Sequence, residues 1–224
     1  MIALQSPRSV PALQPIRVPD GCTVFYDFSA DTGPGIIDRS GNGHHGAVTG
    51  AIVRPGPTGM VRSFDGIDDT VSSIDTVPFL ASAWTVAAWV LLTDPGTFCS
   101  IAGFNYCLHP EIACEAGDVA VYYSDTLVAL TSGTPFATFT NKWMHMAITY
   151  DLASRHQVFV NGQPATLAVN DAASYLSESV GFYVSRVDSS VTGLIGEVFT
   201  ANRAMSAPEV ESCHRETAWR YVGW

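Results

Sequence analysis

The chain has 224 residues, of which 47% are hydrophobic and only 14% are charged. A chain of this length and composition can bury one large core, so we expect a single domain. The formal net charge is −10, and Lys142 is the one lysine among eleven basic residues. Because no basic stripe is left to neutralise a phosphate backbone, this balance argues against nucleic acid as a partner.

The first twenty residues are rich in proline, with Pro7, Pro11, Pro15 and Pro19 at regular intervals. Repeated prolines remove backbone donors and favour extended, polyproline-like dihedrals. We therefore expect residues 1–20 to form an extended arm. The segment lacks the apolar stretch of a signal peptide, and no run of about 18 apolar residues follows it. The expectation is a protein made in a host cytoplasm, without export by the usual route and without membrane insertion.

The rest of the chain consists of short runs in which polar and apolar residues alternate, separated by turn residues. Residues 143–150 are an example, with Met144, Met146, Ile148 and Tyr150 on one face. A period of two residues predicts a β-strand. Many such runs with almost no helical pattern indicate an all-β sandwich. Their number and uneven spacing favour a jelly roll.

Two local signals fix particular connections. The pair Asn161-Gly162 follows one apolar run and precedes another, and both residues tolerate positive φ, which predicts a hairpin. Ser206 and Glu209 have the spacing of a capping box, which predicts a helix from about Ala207 to Thr217. The expected fold class is thus an all-β, two-sheet antiparallel jelly-roll β-sandwich with one short C-terminal helix.

Four motifs follow one another along the chain. They are FYDF (25–28) with DRSGNGHHG (38–46), SFDGIDDTV (63–71), WTVAAWV (84–90) with WMHMAITYD (143–151), and LIGEVF (194–199) with NRAMS (202–206). Together they resemble the laminin G-like domains of the concanavalin A-like lectin/glucanase superfamily, over residues 22 to about 212. The resemblance implies two antiparallel sheets packed face to face, one of them concave. It also implies that this face or its rim binds glycans or proteins.

We therefore divide the chain into three parts: an arm at 1–20, a laminin G-like β-sandwich at 21–205, and a C-terminal helix with an aromatic tail at 206–224. The aromatic character of the tail predicts that it packs on the sandwich or on a partner.

The resemblance also suggests a calcium site, because calcium prefers six to eight oxygen ligands on tight loops. Gly196 stands where relatives commonly carry an aspartate, which removes one ligand. The alternative is that Asp38 and Asn42 form Asx-turns and that Asp65 closes a hairpin. If the family's arrangement holds, the ligands that converge are Asp38, Asn42, Asp65, Asp69 and Glu197.

Aromatic side chains on an exposed face can stack on sugar rings. The candidate ligand-binding residues are Tyr122, Tyr123, Trp143, His145 and Tyr183.

Catalysis is not expected, because a glycosidase needs carboxylates that point together at the scissile bond. The nearest set, Glu111, Glu115 and Asp118, does not alternate along the chain. A lyase would use a His and Tyr pair, for which His145 with Tyr150 or Tyr122 is the nearest candidate.

The five cysteines include no C-x-x-C pair, so no structural zinc is expected. Cys99, Cys107 and Cys114 lie close enough in sequence to bridge one loop. The alternative is that the cysteines stay reduced and partly buried.

These observations favour a non-enzymatic binding or assembly module, and the leading hypothesis is a virion surface protein, such as a bacteriophage capsid-decoration or tail protein. Its partners would be capsid or tail subunits in an oligomer or larger assembly, and its lectin-like sandwich would bind glycans. One alternative is a secreted or cell-surface carbohydrate-binding or adhesion domain, which would be extracellular. The other is a polysaccharide lyase or glycosidase. The candidate assembly contacts are Arg8, Arg17, Trp219, Tyr221 and Trp224.

Overall fold

The computed structural model describes residues 17–31, 33–96, 98–104 and 109–222. In chain order, the strands are β1 (Cys22–Asp27), β2 (Gly35–Ile36), β3 (Gly46–Thr49), β4 (Ile52–Pro55), β5 (Met60–Asp65), β6 (Thr70–Ser73), β7 (Val77–Phe79), β8 (Ala83–Leu92), β9 (Cys99–Phe104), β10 (Glu111–Glu115), β11 (Asp118–Tyr123), β12 (Thr126–Thr131), β13 (Met144–Asp151), β14 (Arg155–Val160), β15 (Gln163–Pro164), β16 (Leu167–Asn170), β17 (Glu178–Val180), β18 (Phe182–Val184) and β19 (Thr192–Ala201). The helices are α1 (Pro135–Thr138), α2 (Ala207–Thr217) and a 3-10 turn (Ala218–Arg220).

The strands form two large antiparallel sheets and one small one. The first sheet has the order β15-β14-β13-β8-β19-β5-β4, and β1 also pairs with β19. The second has the order β16-β12-β11-β10-β9-β18-β6-β3-β2, and β17 pairs with β7. The predicted all-β, two-sheet antiparallel sandwich with a short C-terminal helix is confirmed.

The core lies between the inner faces of the two sheets, where alternate residues of each strand meet. Trp84 of the first sheet is fully buried and stacks on Tyr150, with ring centroids 5.7 Å apart. Phe104 and Phe182 of the second sheet are also buried, with centroids 5.2 Å apart. Burying each such side chain contributes about 1.5–3 kcal/mol to stability.

The outer face of the first sheet is covered by α2, which has the bounds that the capping box predicts. Glu209 accepts a hydrogen bond from the Ser206 amide at 2.8 Å, which satisfies one free amide at the start of the helix. Val210 of α2 packs against a second apolar cluster that includes Phe25 and Phe199. In the part of the chain that the structure describes, no helix is long and apolar enough to cross a membrane.

The hairpin between β14 and β15 is also confirmed. Asn161 has φ 49° and Gly162 has φ 76°, so both turn residues adopt the left-handed conformation. This backbone twist matches that of the flanking strands, which is why Asn-Gly is favoured at such turns.

Candidate functional site

A line of aligned residues crosses the outer face of the second sheet. Tyr122 of β11 pairs with Glu111 of β10, and Glu111 pairs with Gly103 of β9. Gly103 in turn pairs with Tyr183 of β18. Residues directly opposite each other on neighbouring strands share a face of the sheet. We call these four residues, Tyr122, Glu111, Gly103 and Tyr183, the tyrosine row. With strands about 4.8 Å apart, its two tyrosines are anchored ~14 Å from each other.

Gly103 allows the ring of Tyr183 to lie across the backbone of β9. A Cβ atom at Gly103 would lie 2.5 Å from the hydroxyl oxygen and 2.8 Å from Cζ of Tyr183. The tyrosine could not keep this position beside any other residue at 103. The hydroxyl oxygen of Tyr183 also lies 3.3 Å from Oγ of Ser100. The ring is therefore held in one orientation over the sheet.

Tyr122 is held at the other end of the row by two contacts. Its hydroxyl donates a hydrogen bond to Oε2 of Glu115 at 2.5 Å. Its ring meets that of Phe98 edge to face, with centroids 5.6 Å apart. Burial, and then the hydrogen bond and negative charge of Glu115, raise the pKa of Tyr122 above its ordinary value, so the phenol stays protonated. The half-buried ring presents an aromatic surface in a fixed place.

Glu111 and Arg186 form the polar centre between the two tyrosines. Arg186 Nη1 lies 2.9 Å from Glu111 Oε2, and Arg186 Nε lies 2.5 Å from Asp188 Oδ1. Burial raises the pKa of Glu111, and Ser100 and Arg186 oppose that shift. The second oxygen of Glu111, Oε1, is buried and has no hydrogen-bond partner among the residues that the structure describes.

Three residues of the row, Tyr122, Glu111 and Tyr183, line a depression of about 10 Å³, whose other lining residues are Phe104, His109, Ser124, Asp125 and Arg186. The surface around it combines two aromatic rings, a carboxylate and a guanidinium. Sugar rings, which carry apolar C–H faces and many hydroxyls, match this combination.

Of the five residues predicted to bind ligand, Tyr122 and Tyr183 are brought together, and the others lie elsewhere. Tyr123 follows Tyr122 on the same strand and so points to the opposite face. Its ring lies 5.3 Å from that of Tyr175, and its hydroxyl donates to the Ser174 carbonyl at 2.8 Å. Tyr123 is therefore a packing residue at the edge of the core.

His145 lies on β13 of the first sheet and Trp143 directly precedes that strand, and both lie beneath the C-terminal segment. The Trp143 ring packs 4.9 Å from that of Tyr221. His145 is buried between Trp89 and His214, at 5.3 Å and 5.6 Å between ring centroids. Burial lowers the pKa of His145 to about 3, so the imidazole is neutral. These two aromatic side chains help to hold the C-terminal segment in place.

The candidate lyase pair is not formed. His145 and Tyr150 are five positions apart on β13, so their side chains point to opposite faces of the sheet. His145 faces α2, whereas Tyr150 stacks on Trp84 in the core. Tyr122 lies on the other sheet.

The five predicted calcium ligands also do not come together. Asp38 accepts hydrogen bonds from the amides of Phe25, Ser40 and His44 at 2.9–3.0 Å. Asn42 Nδ2 donates to the carbonyl of Cys22 at 3.0 Å. These two residues fix the 38–46 loop against β1, which is the turn-forming alternative.

Glu197 is engaged in a buried ion pair at the C-terminus. Arg220 Nη1 lies 2.5 Å from Glu197 Oε2, and Arg220 Nη2 lies 2.7 Å from Asp27 Oδ1. Burial raises the pKa of Glu197 to about 7, although the charge of Arg220 opposes the shift. One guanidinium therefore serves two buried carboxyl groups, and Glu197 is not available to a metal at the Asp-rich turn.

Asp65 and Asp69 remain together, joined by Asp68, which the sequence analysis did not single out. One carboxyl oxygen from each of the three residues lies within 4.8 Å of the other two. Asp69 Oδ2 also accepts a hydrogen bond from the Asp65 amide at 2.8 Å, which leaves its other oxygen for a ligand. Burial, and then the nearby charges of Asp65 and Asp68, raise the pKa of Asp69. Because Ca²⁺–O distances are 2.3–2.6 Å, three oxygens this close can share one ion.

A larger cavity, of about 990 Å³, lies between residues 17–20, α2 and the outer face of the first sheet. Two predicted assembly contacts lie at its rim. Arg17 is exposed and lies 3.9 Å from Glu216, and Trp219 is 38% exposed. A third, Tyr221, is buried within the chain itself, where it stacks on Trp89 at 4.8 Å. Tyr221 is thus an intramolecular contact. Arg8 and Trp224 lie outside the described residues.

Comparison with known proteins identifies the family. The sequence profile of the concanavalin A-like lectin/glucanases superfamily, in its laminin G form, matches residues 65–211. No curated protein matches the chain.

Several solved structures share the fold at low sequence identity. A Trypanosoma rangeli sialidase in complex with sialic acid superposes with a TM-score of 0.65 at 15% identity, covering 92% of this chain and 34% of the sialidase. The receptor binding domain of botulinum neurotoxin D gives a TM-score of 0.64 at 10% identity, covering 88% of this chain and 53% of that domain. The binding domain of Paraclostridial Mosquitocidal Protein 1 gives 0.66 at 16% identity, covering 88% of this chain and 52% of that domain.

This chain thus spans about a third of the sialidase and about half of each toxin domain. Structural similarity at such low sequence identity shows only that the fold is shared, because one fold hosts many functions. The profile match extends over most of the sandwich, and the observed sheets have the family's arrangement. The chain belongs to the concanavalin A-like lectin/glucanase superfamily, as a laminin G-like domain.

Proposed function

We propose that the chain is a non-enzymatic carbohydrate-binding module and that the tyrosine row is its glycan contact. The observation that carries this proposal is the register that places two fixed tyrosine rings on either side of the ion pair between Glu111 and Arg186. Aromatic platforms with a few converging polar groups are typical of ligand sites. The toxin domains that share the fold are themselves binding domains.

The charge around the row favours neutral glycans. Four carboxylates surround it, those of Glu111, Glu115, Asp125 and Asp188. The positive charge of Arg186 lies among them, but it is already paired with Glu111 and Asp188. An acidic sugar would therefore meet net repulsion. Neutral hexoses, which offer hydroxyl donors and a flat C–H face, suit the site better.

The positions of the carboxylates support binding without hydrolysis. Glu111 and Glu115 lie on the same face of β10 but four residues apart, which separates their Cα atoms by about 13 Å. Glycosidase carboxyl pairs lie about 5–9.5 Å apart. Each of the two is also engaged, Glu111 by Arg186 and Glu115 by Tyr122.

We further propose that the domain is displayed by a larger assembly, on a virion surface such as a bacteriophage capsid or tail. Support comes from the exposed Trp219 and Arg17, which lie at the rim of one cavity where the proline-rich segment enters the described fold. Co-purification with particles, and density for residues 1–20 against a neighbouring subunit, would test this context. A free monomer that does not bind shell proteins, with an arm open to proteases, would favour the secreted or cell-surface alternative.

Calcium at Asp65, Asp68 and Asp69 is also a proposal. These carboxylates fit one ion by their spacing, and the ion would neutralise the turn between β5 and β6. The cluster lies at the end of β5, so the ion would act on the turn and not on the tyrosine row.

A glycan array with the purified chain tests the binding proposal. We expect neutral oligosaccharides to bind, and Tyr122→Ala and Tyr183→Ala each to weaken binding about tenfold, as the loss of one aromatic stacking contact predicts. Trp219→Ala is the matched control, because it removes a half-exposed aromatic ring on the other sheet's side. Loss of binding in Trp219→Ala but not in the tyrosine variants would move the contact to the large cavity. Turnover of a polysaccharide would contradict the non-enzymatic assignment.

A further inference from the structure

Two buried cysteines face each other across neighbouring strands of the second sheet. Cys99 is the first residue of β9, and it pairs directly with Cys114 of β10. Cys99 is 3% exposed and Cys114 is fully buried, and both side chains belong to the core between the sheets. The two thiols influence each other's pKa, which indicates that they lie close together. In the structure both are free thiols.

The geometry of this pairing matches that of a disulfide. Facing residues in an antiparallel pair have Cα atoms about 4.5 or 5.5 Å apart, according to the type of site. A disulfide accepts Cα separations of about 4.4–6.8 Å. A bond between Cys99 and Cys114 therefore requires side-chain rotation and little backbone movement. We infer that these two cysteines form a redox-sensitive pair, which oxidises to an intramolecular disulfide by exchange with a small-molecule disulfide such as glutathione disulfide.

The exchange has two steps. The Cys99 thiolate attacks one sulfur of glutathione disulfide, so that a mixed disulfide forms and one glutathione thiolate leaves. Cys114 then attacks the Cys99 sulfur, the Cys99–Cys114 bond forms and the second glutathione leaves. The two protons lost by the protein thiols end on the two glutathione molecules, which have taken up two electrons.

Cys99 is the residue that attacks first. It lies at the end of its strand, where local opening is easiest, whereas Cys114 is shielded and its thiol donates to the Pro95 carbonyl at 3.2 Å. The contact between the two thiols lowers the pKa of Cys99 and raises the pKa of Cys114. The pair is thus asymmetric, with one thiol poised as the nucleophile.

Oxidation would act on the two strands that carry the centre of the tyrosine row. The residue after Cys99 is Ser100, which contacts Tyr183, and the residue after Cys114 is Glu115, which binds Tyr122. A covalent link between β9 and β10 would fix the two strands that carry Gly103 and Glu111. The reduced chain lacks this covalent link.

The test is to equilibrate the unaltered chain in glutathione buffers of rising oxidised fraction, quench with acid and map the thiols. No Lys or Arg lies between residues 99 and 114, so trypsin leaves the pair on one peptide. Chymotrypsin, which cuts after Phe104 and Leu108, puts Cys99, Cys107 and Cys114 on different peptides. We expect a cross-linked Cys99–Cys114 peptide that disappears on reduction. No cross-link in glutathione disulfide, or one to Cys107 instead, would overturn the inference.

Thermal unfolding gives a second readout. Because the bond closes a loop of about 15 residues, oxidation should raise the melting temperature by roughly 5–10 °C. The shift should persist in a Cys22→Ala, Cys213→Ala background, the matched control, and vanish in Cys99→Ala and Cys114→Ala. If the rise in melting temperature on oxidation persists in Cys99→Ala, other cysteines cause it. The mapping uses the unaltered chain, so the test does not depend on any variant folding.

Discussion

The guanidinium of Arg220 reaches Asp27 at 2.7 Å, although 193 positions separate the two residues along the chain. The contact joins the 3-10 turn that follows α2 to the first strand of the fold, and the same guanidinium reaches Glu197. Both carboxyl groups are buried, and removing their cation would leave them uncompensated in a poorly solvated site.

Arg220→Met should therefore lower the free energy of unfolding by about 3–5 kcal/mol, the usual cost of breaking a buried ion pair from one side. Urea unfolding followed by tryptophan fluorescence measures this change. Arg215→Met is the matched control, because Arg215 is exposed on α2, and it should cost less than about 1 kcal/mol. Equal effects of the two substitutions would show that the C-terminal segment contributes little to the fold.

Glu197 gives the domain a pH dependence between about 4.5 and 7. Burial raises the pKa of Glu197 from 4.5 to about 7, so the folded chain keeps a proton that the unfolded chain has lost. The free energy of unfolding should then fall as pH rises through this window, by an amount on the order of 2–3 kcal/mol. Glu197→Gln removes the titration and should flatten this slope. If the slope is unchanged in Glu197→Gln, the carboxyl group is ionised throughout and its pairing with Arg220 outweighs its burial.

Two buried histidines lower the free energy of unfolding as pH decreases, whereas Glu197 raises it. Burial lowers the pKa of His145 to about 3 and that of His156 to about 4. The unfolded chain takes up these protons near pH 6.5, so stability falls as pH decreases from 6.5 towards 4 and then 3. His145→Phe, measured by urea unfolding at pH 4 and pH 7, should lose less stability on acidification than the unaltered chain. An identical loss would mean that His145 is protonated in its site.

The strands, the Asn161-Gly162 turn and the helix at Ala207–Thr217 could be predicted because each depends on residues close in sequence. The binding face could be predicted only in part. Alternation along β11 implies that Tyr122 and Tyr123 point to opposite faces, but not which of the two points outward. The predicted sites at Glu197 and His145 failed to form because the C-terminal segment covers that sheet, a contact that no local pattern reveals.

Gly103 and Arg186 were not predicted from the sequence, and Glu111 was considered there only as a catalytic carboxylate, for a related reason. Glu111 and Gly103 meet Tyr183 through the pairing of β9 with β10 and with β18, and β9 and β18 are some 80 residues apart. Arg186, which follows β18, joins them through its ion pair with Glu111. Register between such distant strands is set by tertiary packing. A glycine within an alternating apolar run was the available signal, since it often marks close approach of another group.

The Asp-rich turn predicts a response to calcium. If one ion binds Asp65, Asp68 and Asp69, millimolar CaCl₂ should raise the melting temperature by a few degrees, because a ligand that binds only the folded state stabilises it. Asp68→Asn, an exposed position, should abolish the rise without unfolding the domain. MgCl₂ at the same concentration controls for ionic strength. An equal rise with both salts, or in Asp68→Asn, would point to general screening.

The substitution Gly103→Ala gives the sharpest test of the tyrosine row, because it displaces the ring of Tyr183 while the tyrosine itself stays in the sequence. In Gly103→Ala the new methyl group would meet the Tyr183 hydroxyl oxygen at 2.5 Å, and the ring must move away from β9. We expect glycan affinity to fall about as far as in Tyr183→Ala, measured by titration calorimetry.

Gly181→Ala is the matched control, since a Cβ there has no heavy atom within 4 Å, and it should bind as the unaltered chain does. In the double variant Gly103→Ala, Tyr183→Ala, the two losses should not add, because both remove the same ring from the same place. Additive losses would mean that Gly103 contributes to binding through its own backbone and that Tyr183 tolerates the methyl group.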